Sequence, residues 1–576
     1  MKNIKIKIGA LLASTAMVVA VSCSDDFLEI TPTGLLVETQ LTNLAGLDAS
    51  LIAVYSQVNG RNQRMASPSN WVWGSIRGGD ANKGTDPGDY NTLNPIQRFE
   101  TDATNVNLLQ NWQGLYEGVA RANNVLRLMN KTENITDADR QRIGSQARFL
   151  RGHFYFQLVR NFKNVPYVDE TVDYGEGLEE VVNNVDVWPL IEADFKYAVD
   201  NLADTQIGQV GRPNSWAAKS YLAKVYLYQK KYSEAKVLFD DIISNGVTSG
   251  GEKYGLLDNY GNLFRGEYDN NKESIWAYQS AAGTGSVNNA NPEFDLNNPY
   301  NSAAPGVCCG FFTPSFSFVN SFRTDSNGLP LLDGSYNSPQ FRVKNDMGIP
   351  TNAAFTIDEG PIDPRVDHSA GRRGIPYIDW QEHPGQSWIR QQSFSGPYSV
   401  KKFVYSRTEV GSFQDNSSWT PGYTGINFNV IRFADVLLMA AEAEIEAGSL
   451  EKSREYVNLV RTRALNSKVM ELDGSGPAAN YQVGLYTAAW TDQDAARKAV
   501  RFERKLELGM EGHRFYDLVR WNTDLEELNA YLDYDGAILI NALGGAEYTE
   551  KHEILPIPQS EIDLVGPDIL IQNPGF

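Results

Sequence analysis

Trp71-Val72-Trp73, followed by Arg77-Gly78-Gly79-Asp80-Ala81-Asn82-Lys83, puts two indoles, a carboxylate and an amide into one short stretch. Sugar recognition needs flat apolar faces for the C–H side of a ring and planar hydrogen-bonding groups for its hydroxyls. Asp80 and Asn82 would accept from and donate to adjacent hydroxyls. Residues 380–398 repeat the mixture with Trp380, Gln386, Trp388, Arg390 and Tyr398. The competing reading puts at least one Trp of each stretch in the core and uses Asp80 to cap a turn. Cys308 and Cys309 are adjacent. In an oxidising envelope they can close a vicinal disulfide, a small rigid apolar plate that would pack against a sugar; the alternative is a pair of buried free thiols.

Other chemistries find less support. Glu503, Arg504, Glu507, Glu511, Arg514, Asp517 and Arg520 would supply an acid, a base and an anion clamp. Their three- and four-residue spacings also make natural intrahelical partners, such as Arg504–Glu507 and Arg514–Asp517, which is a scaffold role. The five His are scattered, and H-E-x-x-H, G-x-S-x-G and the phosphate-loop pattern are absent. A carboxylate pair for glycoside hydrolysis is not legible among 71 acidic residues. No catalytic residue and no required cofactor are predicted. Asp80-Ala-Asn82-Lys-Gly84 and Asp325-Ser-Asn327-Gly328 are the places for a structural calcium, although neither has the full ligand set of an EF-hand loop.

The frame around these residues is large. The chain has 576 residues, is 42% hydrophobic and carries 64 aromatics (28 Tyr, 25 Phe, 11 Trp), enough for an extensive core. Its net charge of −20 repels phosphate backbones and argues against nucleic acid. Three Cys cannot make a disulfide framework. Lys2, Lys5 and Lys7 precede an apolar run, Ile8 to Val21, too short to span a bilayer comfortably; residues 1–22 read as a signal peptide. Ala20-Val21-Ser22 before Cys23 is similar to a lipobox, so Cys23 is the predicted lipidation site and 23–40 the tether. Asp25 and Asp26 behind it match a surface-export signal or a solvated linker.

Helical periodicity organises much of the rest. Trp112, Leu115, Tyr116, Val119, Asn123, Leu126 and Met129 share one helix face; Ala147, Leu150, Phe154, Leu158 and Phe162 share another. A hairpin follows, Ala218 to Tyr226 and Tyr232 to Ile242, turning at Gln229-Lys230-Lys231. A second runs from Ala434 to Ile445 and from Leu450 to Ala464, broken at Gly448. A last amphipathic block covers about Ala496 to Trp521. Such pairs resemble tetratricopeptide repeats, and since one pair cannot bury its own faces, the distant pairs should stack. Residues 250–425 differ, being rich in Asn, Gly, Pro and Ser with aromatics of no helical period, as in Asp415-Asn416-Ser417-Ser418-Trp419. The expected organisation is a helical part 41–249, a loop-rich ligand region 250–425 and a C-terminal helical part 426–576.

Several segments together resemble the SusD/RagB family of outer-membrane nutrient-binding lipoproteins: Cys23-Ser-Asp-Asp-Phe-Leu-Glu, Thr31-Pro32-Thr33-Gly34, QARFLRGHFYFQLVRNFKNVPYV at 146–168, Asp363-Pro364-Arg365, Ile431-Arg432-Phe433-Ala434-Asp435-Val436-Leu437-Leu438, ERKLELGMEGHRFYDLVRW at 503–521, LPIPQSEIDL at 555–564 and Gln572-Asn573-Pro574-Gly575-Phe576. The resemblance implies a mainly α fold, a right-handed helical scaffold with tetratricopeptide-like pairs and an irregular ligand face. It also implies a surface-exposed, lipid-anchored outer-membrane protein that sits as a lid on a SusC-like TonB-dependent transporter, without catalysis. The expected ligand is an oligosaccharide, a neutral one such as a fructan or α-glucan given the acidic chain. A peptide-capturing lid and a glycoside hydrolase are the alternatives.

Overall fold

In the computed structural model the described residues are 38–60, 64–172, 174–175, 177, 180–417 and 419–576. The signal peptide, Cys23 and most of the tether lie outside them. The scaffold begins with α1 (Leu44–Tyr55), α2 (Val106–Lys131), α3 (Asp137–Phe162), α4 (Trp188–Asn201), α5 (Ser215–Tyr228) and α6 (Tyr232–Asn245). Side-chain caps start several of them: Asn105, Thr136 and Asn214 accept from first-turn backbone N–H groups of α2, α3 and α5. Each helix packs on the next from α1 to α6.

α6 then packs not on the following chain but on α8 (Phe433–Ala447), which pairs with α9 (Leu450–Leu465) and α10 (Gln493–Leu508). The expected stacking of distant helix pairs is thus observed, and the right-handed helical scaffold resumes after the excursion 246–432. α3 is buried almost all round from Ile143 to Phe162, because α1, α2 and α4 pack on it. Its Arg151 is held there by Asp194 at 2.7 Å and by Glu170.

The excursion's strands form small antiparallel pairs, one of them with a strand from earlier in the chain: β1 (Ala81–Gly84) with β3 (Phe311–Pro314), β2 (Ser274–Tyr278) with β8 (Phe428–Arg432), β4 (Ala370–Gly371) with β7 (Ser399–Val400) and β5 (Pro376–Tyr377) with β6 (Gln381–Glu382). A short helix α7 (Phe316–Ser321) follows β3, and α11 (Arg514–Trp521) and α12 (Asp524–Ile538) complete the core at the C-terminal side.

The charged block 496–521 is two helices, not one. The chain leaves α10 at Gly509 and re-enters helix at Arg514; the intrahelical pair that forms is Asp517–Arg520 (2.9 Å), while the two expected pairs give way to partners on other elements. Arg504 instead pairs with Asp435 (2.9 Å) and Asp517 (3.0 Å), and Arg514 with Glu527. Glu507 faces Arg365 (3.0 Å), Arg432 and Arg463. Around it, Arg365 meets Glu503 (2.7 Å) and Asp363 (2.7 Å), Arg432 meets Glu273 (3.0 Å) and Glu511 (2.8 Å), and Lys402 meets Glu511 (2.8 Å). All of these side chains except Glu527 are buried. Unpaired charges at such depth would be prohibitive, so each element that supplies one is locked to the others. Asp363-Pro-Arg365, Ile431-Arg432 and the 503–511 segment, far apart in sequence, meet at this cluster.

Candidate functional site

The Trp71–Asn82 stretch is core. Trp71 to Ile76 form a π-helical turn wedged against the 509–512 loop; a Cβ on Gly74 would lie 1.9 Å from the Gly512 carbonyl oxygen, and Gly512 has φ +76°. Trp73 is buried and donates to the Met65 carbonyl (2.8 Å), while Trp71 packs edge-on against Phe312. Asp80 accepts from the Met510 N–H (3.1 Å), and burial raises its pKa to about 6 against the pull of Arg514. Asn82 accepts from the Tyr531 hydroxyl (3.0 Å). These residues present no face to a ligand: β1 pairs with β3, and α11 and α12 close over them. Trp388 and Tyr398 are likewise core, Trp388 edge-on to Tyr377 and His383, Tyr398 edge-on to Phe316. Asp325 accepts from the Asn327 and Leu329 N–H groups (both 2.8 Å), a turn-capping role.

The remaining predicted residues reach the surface on neighbouring loops. Cys308 and Cys309 are joined in a disulfide, with Cys309 buried and Cys308 half-buried. Arg390 is exposed; it pairs with Asp86 (2.8 Å) and Asp89, donates to Thr85 (3.0 Å) and lies 5.5 Å from the Tyr300 ring centre. The segment just after the first stretch, Thr85 to Asp89, thus meets 380–398 through Arg390, and the Trp residues of both stretches take no part in it. Lys83 is buried behind them and holds the turn by donating to the Asp86 (2.8 Å) and Asp89 (2.7 Å) carbonyls. Burial lowers its pKa to about 8, against the opposing pull of those two acids. Trp380 is half-buried, donates to the Tyr405 carbonyl (3.1 Å) and carries the Arg407 guanidinium 5.8 Å above its ring.

Two rings missing from the predicted set complete the surface. Trp419 is 65% exposed and Tyr300 is 37% exposed. Thr420 donates to the Gly306 carbonyl (3.1 Å), which fixes the Trp419 loop beside the disulfide segment. The Tyr300 N–H donates to the Trp388 carbonyl (2.9 Å), and the Tyr405 hydroxyl accepts from Gly306 N–H (2.8 Å) and Gln414 (3.0 Å). The buried Trp388 and Tyr405 thus serve as posts for the exposed rings. Trp419 was detectable as a lone indole in a polar run without periodicity; Tyr300, between Pro299 and Asn301, carries no comparable signal.

The result is a loop face with exposed flat rings, a disulfide plate and planar polar groups, whose surface Arg is matched by carboxylates. That composition suits adsorption of an uncharged, ring-containing ligand. Among the described residues no cluster of three or more His, Cys, Asp or Glu is arranged to hold a metal, and no helix is long and apolar enough to cross a membrane.

A helical scaffold that carries an irregular, loop-rich face is the architecture of a known family. The profile described as "SusD family" matches residues 272–576, and one described as "Starch-binding associating with outer membrane" matches 32–227. A SusD-like protein of Bacteroides ovatus is 30% identical over 603 aligned positions, covering 98% of this chain and 94% of that protein. Among solved structures, a SusD homolog from Bacteroides thetaiotaomicron superposes with a TM-score of 0.69 at 22% identity, covering 94% of this chain and 99% of the other. A laminarin-binding SusD-like protein gives 0.63 at 23%, covering 92% and 99%. The chain belongs to the SusD family, whose members bind rather than catalyse.

Proposed function

We propose that this chain captures a neutral glycan, such as a fructan or an α-glucan, and delivers it to a SusC-like TonB-dependent transporter. It does so at the cell surface, tethered to the outer membrane through lipidated Cys23. The observation that carries this reading is the pair of exposed rings, Trp419 and Tyr300, beside the Cys308–Cys309 plate. Flat apolar faces of this kind cover the C–H side of a pyranose or furanose ring, while Arg390, Gln414 and Asn301 stand nearby for hydroxyls. Asp86 and Asp89 cancel the charge of Arg390, so the face offers a polyanion little attraction. Affinity should be modest, because each hydroxyl gives up water to bind.

The test is calorimetric titration of the chain from Ser24 onward against neutral glycans, laminarin among them, acidic glycans and peptides. Saturable binding of a neutral glycan without product formation supports capture. Preference for peptides, or release of shorter sugars, overturns it. Co-purification of the tagged lipoprotein with a TonB-dependent transporter tests the delivery step, and its absence from such a complex removes that part.

A further inference from the structure

A second concavity lies across the 281–289 ridge from the Trp419 loop. It has a volume of about 560 Å³, within the range of ligand sites, and is walled by α1, the 209–212 turn and β2 with the loop after it. We infer that this cleft binds an anionic saccharide unit, a glycosyl ring bearing a carboxylate or sulfate. The inference rests on the glycan-binding reading above but uses a different set of side chains.

Arg212 carries the argument. Its guanidinium lies 5.6 Å from the Tyr55 ring centre, and one N–H donates to the amide oxygen of Gln146 (2.8 Å), a neutral acceptor. Among the described residues no carboxylate pairs with Arg212, and the cleft lining contains no acid. Its backbone is fixed on both sides, the N–H donating to the Gln209 carbonyl (2.9 Å) and the carbonyl accepting from Ser249 (2.8 Å). A planar fork held in place with N–H donors to spare matches a carboxylate or sulfate.

Two further features suit a sugar ring around that anion. Trp276 floors the cleft at 3% exposure, its ring fixed edge-on to Phe149 (4.9 Å), His153 (5.1 Å) and Tyr221 (6.0 Å) of the core. Gln209 and Asn289 are exposed around the rim, planar amides suited to hydroxyls, while the Gln279 amide is held by Asn270, Asn427 and the Ala277 carbonyl. The chain's net charge of −20 opposes anion approach. That field is screened over about 8–10 Å in physiological salt, and within that distance the lining offers a cation and no carboxylate. The ridge is tied to the other site, Gly283 N–H donating to Asp415 (3.0 Å) on the loop that continues to Trp419. A glycan with neutral stretches and acidic branches is therefore the substrate class that uses both surfaces.

The probe is a glucuronate-bearing oligosaccharide, compared with its neutral glucosyl counterpart by calorimetry and saturation-transfer NMR on the chain from Ser24 onward. Arg212→Gln is expected to weaken the acidic probe about tenfold or more, and added salt to weaken wild-type binding. Arg212→Gln should leave neutral-glycan affinity unchanged, and Trp419→Ala should leave the acidic site intact. Circular dichroism confirms that each variant is folded. Absence of acidic-probe binding to folded wild type, or equal binding by folded Arg212→Gln, overturns the inference. Either result leaves the neutral-glycan reading untouched, since that reading is decided by the titrations with neutral glycans and peptides and by the search for shorter sugars.

Discussion

Replacing Trp419 with Ala is expected to lower neutral-glycan affinity about tenfold or more while leaving thermal stability unchanged, because an exposed indole contributes contact to a ligand and little to the core. Calorimetry and a melting curve on the same sample check both halves. Trp388→Ala should behave oppositely, destabilising by about 3–5 kcal/mol through a cavity between Tyr377 and His383, read as a lower urea midpoint. The contrast shows what single residues disclose. The Gly-rich setting of Trp71 and Trp73 reads as loop, yet those glycines permit the close approach of the 509–512 backbone that seals both indoles inside. Exposure is set by partners hundreds of positions away, so residue type alone separated neither Trp71 from Trp419 nor Trp380 from Trp388. The vicinal disulfide was legible from adjacency alone, although Cys309 itself is buried.

At the scale of elements, the 3.6-residue period marked α2, α3 and both helical hairpins, since each buries a stripe against its neighbour. The strands left little trace: β4 to β7 are two residues each and exist through pairing alone. The division of 496–521 into α10 and α11 was hidden too, because buried charges such as Arg504, Glu507 and Glu511 find their partners on other elements. Glu507→Gln tests that arrangement. It leaves Arg365, Arg432 and Arg463 facing a neutral amide at depth and should destabilise by about 3–5 kcal/mol in urea unfolding. A change near zero would show the cluster to be solvated. Exposed pairs such as Lys196–Asp200 should give well under 1 kcal/mol in the same assay.

For the whole molecule, buried carboxyls of two kinds shape stability against pH. Burial alone would raise Asp517, but Arg504 and Arg520 bring it down to about 2. A depressed group adds stability above its unfolded pKa of about 3.9, and that contribution is lost as pH falls toward the folded value. Burial raises Asp535 to about 7, despite N–H donation from Ser317 and Phe316, and Asp80 to about 6. A raised acid stabilises most below its unfolded pKa, and the contribution is lost as pH climbs through about 6 to 7. Urea midpoints should therefore peak near about pH 4 and decline on both sides; a flat profile from about pH 4 to pH 8 would contradict these assignments. The buried ion cluster has one more consequence. Tyr300 and the disulfide lie between Glu273 and Arg365, Trp380 and Arg390 between Arg365 and Lys402, and Trp419 between Lys402 and Arg432. Each of these loops is thus strung between two fixed posts of one frame, so its length and sequence can drift while its ends stay put. Such loops should be exchangeable, post to post, between relatives, which gives evolution and the engineer the same means of changing what the protein recognises.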